Sequence, residues 1–251
     1  MPADAFVPEL VAAALVFARV GGCIMVLPAF GEAFVSPRVR LAVALAVSLV
    51  LIPAVGTDFA ASPDDAGLFL ALLQELLIGT ALGLAARFAL AAMNLAGTII
   101  ALQSALAAAA FFDPHEGTQS AITSNFLTTA GLTLLLVVDG HHYLLWGLAR
   151  SFDITPQLTA YPAADFAELL LRTSSDLFVV AVRIAAPVIL VTTVVNLTFG
   201  FFSRLVPGIQ VFFIAMPLQV LAAIGALLVG FAAGARVFLA GMEASVAPFA
   251  G

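Results

Sequence analysis

The sequence predicts an all-α fold: a polytopic helical membrane protein of about six long helices arranged in hairpins. Three observations carry this. Hydrophobic residues make up 63% of the 251-residue chain and charged residues only 10%, with a mean hydropathy of +1.16; soluble domains run about 45–50% apolar and about 25% charged. Several apolar runs exceed the ~20 residues that cross a hydrocarbon core, where a helix satisfies every backbone amide internally. Those runs are unbroken, whereas barrel strands alternate apolar and polar residues.

The helices follow from the hydropathy in order. Apolar blocks cover 8–30, 39–56, 68–112, 120–150, 164–203 and 208–242. The breaks fall at Gly31–Pro37, at "GTDFAASPDDAG" (56–67), at "FFDPHEGTQ" (111–119), at "SFDITPQLTAYP" (151–162) and at "SRLVPG" (203–208). Each break uses Pro, Gly, Ser or Asp, which end helices or seed turns. The block 68–112 is too long for one span, since 45 residues of helix reach about 67 Å at 1.5 Å per residue. Two forms are open to it: a hairpin turning near Asn94 to Gly97, or a long helix that leaves the bilayer.

Charge limits the function classes. The net charge is −6 and the nine basic residues are all arginine, which argues against nucleic acid as a partner and against a polybasic lipid-binding arm. Asp4 and Glu9 precede or open the first apolar run without a basic residue, so it reads as a retained helix, not a cleavable signal. Arg38 and Arg40 beside the first break, against Asp58, Asp64 and Asp65 in the second, favour a cytoplasmic first loop. The lone Cys23 rules out an internal disulfide.

Polar residues inside apolar helices need partners, because each ionisable group at such depth costs at least ~2.5–3.5 kcal/mol. Arg19, Glu75, Arg87, Arg172, Asp176 and Arg183 are of this kind. Glu75, Gly79, Gly83 and Arg87 recur every four residues and share one helix ridge, whose centre is a GxxxG. A second GxxxG joins Gly230 to Gly234. Both motifs fit helix packing, within the chain or between subunits. Arg172, Asp176 and Arg183 lie on a common face and could form a salt bridge, and Asn94 is placed to cap Arg87.

Two His/Asp groups raise metal chemistry: Asp113, His115 and Glu116, and Asp139, His141 and His142. The first lacks the helical HExxH spacing. Adjacent His141 and His142 would point about 100° apart on a helix. The expectation is therefore no metal and no cofactor, with Asp139-Gly140-His141 a helix break near the interface and Tyr143 and Trp146 beside it. No GxSxG, P-loop or dinucleotide fingerprint occurs, so an enzyme is not expected. A secondary transporter built on Arg87, Asp176 and Arg183 and an intramembrane metalloenzyme are the rival readings. The transporter would call for a pair of broken helices related by an internal repeat.

The order and spacing of these features resemble the FliR family of flagellar export-gate membrane proteins. The resemblance runs through "ARVGGCIMVLPAFGEAFVSPRVRLAVALAVSLVLIP" (18–53), with Arg19, Pro28, Pro37, Arg38 and Arg40, and through "ELLIGTALGL" (75–84). It continues in "AGTIIALQSALAAAAFFDPHEG" (96–117), with Gln103, and in "DGHHYLLWGLARSFDITP" (139–156), with Gly140, His141 and Pro156. It closes with 186–212, carrying Pro187, Asn196, Gly200 and Pro207. It implies a FliP-like helical region over 1–163 and a FliQ-like helical hairpin over 164–251, forming one unit. It further implies a place in the bacterial inner membrane at the flagellar basal body. The implied partners are FliP-like, FliQ-like and FlhB-like gate subunits, membrane lipid and unfolded exported proteins. Residues 105–119 would then form a plug in the passage. Phe111 and Phe112 would give bulk, Pro114 and Gly117 a non-helical path, and Asp113 and Glu116 a hydrated face.

Overall fold

The computed structural model describes residues 6–32, 34–55, 65–104, 122–154, 163–205 and 211–250. Among them the chain forms seven helices: α1 (Phe6–Val26), α2 (Pro37–Val55), α3 (Asp65–Gln103), α4 (Ile122–Val137), α5 (Gly140–Ile154), α6 (Ala163–Leu205) and α7 (Val211–Ala250). Five of them, α1, α2, α3, α6 and α7, are long and apolar enough to cross a membrane, and α4 with α5 makes a sixth if the broken pair is one span. The protein is a polytopic helical membrane protein.

Two features of this helix pattern have local causes. The apolar block 120–150 holds two helices, because Asp139 takes a left-handed φ of 56° and ends the first. Asp is one of the few non-glycine residues that adopts this conformation readily. The block 68–112 does not turn at Asn94 to Gly97, since α3 runs unbroken for 39 residues. The residues that suggested a turn serve packing instead: Asn94 Nδ2 donates to Thr128 Oγ1 at 3.3 Å, and a Cβ on Gly97 would sit 2.3 Å from the Ser124 Cα. Only a glycine lets α4 approach α3 this closely.

Helix starts and stops follow ordinary chemistry. Proline opens α2, where its missing N–H is no loss, and Ser36 before it accepts from the amide nitrogens of Val39 and Arg40. After α1, buried Pro28 precedes Ala29, whose φ is 74°, and Gly31 N donates to Leu27 O at 2.7 Å to close a tight turn.

The chain divides into two compact units: Met1–Phe88 with Leu136–Ser174 and Glu243–Gly251, and Ala89–Leu135 with Ser175–Met242. The core of the first includes Leu15, Val20, Ile24, Ala71, Ile78, Leu144 and Leu148. The core of the second includes Met93, Ile100, Leu127, Leu135, Ile184, Val188 and Phe238. Much of the remaining helix surface is exposed and apolar, as at Leu49, Val50, Leu190, Leu228 and Val229.

Candidate functional site

The most buried polar constellation lies in the first unit, where α1, α3 and α5 converge. Arg19 is completely buried and Glu75 is 2% exposed. Arg19 Nε donates to Glu75 Oε2 at 2.5 Å, and Arg19 Nη2 donates to Oε1 at 2.9 Å, a fork on fork arrangement. Arg19 Nη1 donates to the Ser151 carbonyl at 2.8 Å and to Ser151 Oγ at 3.3 Å. The guanidinium also lies 4.3 Å from the centre of the Phe152 ring, a favourable approach for a delocalised cation. Three helices from distant parts of the chain are thus tied through one side chain.

The glycine ridge explains how Arg19 reaches Glu75. A Cβ on Gly79 would sit 1.9 Å from the Arg19 carbonyl, one on Gly83 2.7 Å from the Cys23 carbonyl, and one on Gly22 2.7 Å from the Leu76 carbonyl. The backbones of α1 and α3 therefore touch along this row. The ridge packs within the chain, and Arg87 at its end donates to the Val26 carbonyl at 3.4 Å. The sequence signal for the pairing was present in the need of Arg19 for an acid. Choosing Glu75 among the acids required the tertiary contact.

Other expected pairings are different in the structure. Asn94 does not cap Arg87: the guanidinium donates to the Val26 carbonyl, and the Asn94 Nδ2 donates to Thr128 Oγ1. Arg172 pairs with Glu168 at 2.5 Å, not with Asp176, and Asp176 and Arg183 are exposed with no ion pair between them. The i to i+4 geometry is available to Arg172 in both directions along α6, and the glutamate one turn earlier takes it.

In the second unit, Pro187 interrupts the hydrogen-bond ladder of α6. Its ring seats against α7, where a Cβ on Gly230 would be 2.6 Å from Pro187 Cγ; at Gly234 the nearest atom, Ile184 Cγ2, would be 3.4 Å away. Gln103 ends α3, and its carbonyl accepts a hydrogen bond from Gln219 Nε2 of α7. Asn196 and Gly200 are exposed on α6, and a Cβ on Gly200 would meet open space. Arg38 is exposed at the start of α2. The expected plug residues Phe111, Phe112, Asp113, Pro114, Glu116 and Gly117 lie outside the described residues, as do Pro156 and Pro207.

Near the ends of α2 and α5 an open recess of about 420 Å³ is lined by Leu51, Val55, Trp146, Arg150, Phe152 and Asp153. Arg150 lies over the Trp146 ring at 5.4 Å and donates to Asp153 Oδ2 at 3.3 Å, so its charge is answered inside the recess.

Residues 10–245 match the model of the family described as bacterial export proteins, family 1. The chain belongs to this family. Family-1 export proteins similar to it include the flagellar biosynthetic protein FliR of Caulobacter vibrioides, 36% identical over 85% of both chains. The FliR of Pectobacterium carotovorum is 32% identical over 80% of this chain and 77% of its own. That of Bacillus subtilis is 30% identical over 82% and 80%. The match of this export protein spans both compact units and takes in Arg19, Glu75, Ser151, Pro187 and Gly230.

Proposed function

We propose that this export protein is a subunit of the flagellar type III export gate in the bacterial inner membrane, where it lines and gates a passage for unfolded secreted proteins. The observation that carries the reading is the family match over residues 10–245, together with similarity to FliR proteins of several bacteria. Helix length supports it. At 1.5 Å per residue α3, α6 and α7 reach about 58, 64 and 60 Å, about twice the ~30 Å hydrocarbon core. Apolar side chains such as Leu190, Phe201 and Val229 stay exposed along them. Surface of this kind outside the bilayer calls for other protein chains to cover it.

The partners in this reading are FliP-like, FliQ-like and FlhB-like gate subunits. Residues 1–163 act as the FliP-like part and 164–251 as the FliQ-like hairpin. Glu75, Gly79, Gly83 and Arg87 hold the first part together for assembly, and Gly230 and Gly234 hold the hairpin. The loop 105–119 closes the passage, with Phe111 and Phe112 as its bulk. The protein acts as a conduit and catalyses no reaction, so its driving force comes from other components. Co-expression with FliP-type and FliQ-type proteins tests the assembly: co-purification as one complex is expected, and failure of the chain to co-purify with either partner would overturn it. Deleting 111–117 tests the plug. Ion leak through the assembled gate should rise, and unchanged leak with unchanged export would remove the plug role.

A further inference from the structure

The break between α4 and α5 gathers Asp139, His141 and His142. One potential ligand atom from each lies within 4.8 Å of the others. Adjacent histidines on a regular helix would diverge, yet here the two rings stand 4.2 Å apart, centre to centre, at the first turn of α5. The left-handed Asp139 turns its carboxylate back toward that turn. His142 Nδ1 and Asp139 Oδ1 are 3.5 Å apart, with side chains 70% and 76% exposed. That separation is too long for a good N–H···O hydrogen bond, which spans about 2.7–3.2 Å. It matches two donors on one tetrahedral ion, which stand about 3.4 Å apart when each bond is about 2.1 Å. His141 adds a second observation: its Nδ1 is buried and makes no hydrogen bond with any described residue.

We propose that Asp139, His141 and His142 form a binding site for one divalent transition-metal ion of the zinc, nickel or copper class. Two imidazoles and one carboxylate are the donor set such ions prefer over magnesium or calcium, which take oxygen. The Asp139 and His142 side chains are largely exposed, which leaves them room to turn toward a common centre with His141. Water completes the coordination, because two of the three ligands face solvent. The bound ion clamps the first turn of α5 to the residue that breaks the chain before it. The site is independent of the export reading and stands or falls separately.

The test uses the full chain purified in detergent with a histidine-free tag and stripped with a chelator. Zn²⁺ alone and Ni²⁺ alone are titrated by calorimetry, and Co²⁺ is followed by its visible absorption. One ion per chain is expected. Asp139→Asn and His142→Gln should each weaken binding by at least about tenfold, the smaller of the effects seen even for residues that only support ligands. Asparagine tolerates the left-handed backbone, so Asp139→Asn keeps the turn. The chain has three histidines, and His115→Gln should leave binding unchanged. No saturable binding, or equal binding by the His141→Gln/His142→Gln double variant with an unchanged circular dichroism spectrum, overturns the site.

Discussion

Arg19 and Glu75, 56 positions apart in the chain, meet at 2.5 Å with both side chains essentially sealed from solvent. The pair is worth little as a gain over apolar packing, because both charges lose their hydration. Its consequence is asymmetric: removing one partner strands the other.

Glu75→Leu should therefore destabilise the isolated protein by about 3–5 kcal/mol. Thermal unfolding in detergent, followed by circular dichroism, is the measurement. The double variant Arg19→Met/Glu75→Leu should recover most of the loss, since it leaves no buried charge. Breaking the exposed Arg172–Glu168 pair with Arg172→Ala should cost below about 1 kcal/mol. If the single and double core variants melt together well below the wild type, the ionic account is wrong.

Glycine to alanine should change sign with position. At Gly79 the added methyl would collide with the Arg19 carbonyl on a rigid helix backbone, so α1 must move away and Arg19 loses its fork on Glu75. At Gly200 nothing lies within 4 Å, and alanine gains about 0.5–1 kcal/mol of helix preference. Melting of the isolated chain should fall for Gly79→Ala and hold or rise for Gly200→Ala.

The two glycines of the C-terminal GxxxG should also differ. Gly230 faces the Pro187 ring, which cannot rotate aside, whereas the neighbour of Gly234 stands at an ordinary contact distance. Gly230→Ala should lower the melting temperature of the chain clearly and Gly234→Ala hardly at all. Pro187→Ala combined with Gly230→Ala should restore part of the loss, because the ring that clashes is gone. Equal effects at both glycines would point to a contact other than the one with Pro187.

Composition and run length by themselves determined the class, the number of apolar segments and the places where the chain changes direction, because burial in lipid and helix termination are local properties. The break at Asp139-Gly140 was legible for the same reason, through a residue that tolerates a left-handed backbone. Tertiary structure alone decided which acid answers Arg19, that Arg172 takes Glu168, that Asn94 turns to Thr128, and that α3 continues past Gly97. It also brought His141 and His142 together where helical spacing sets them apart. A uniformly apolar helix carries little facial bias, so its sequence states that a buried charge needs a partner without stating which neighbour supplies it. That choice belongs to the contacts between helices, and close approach at glycine sets those contacts.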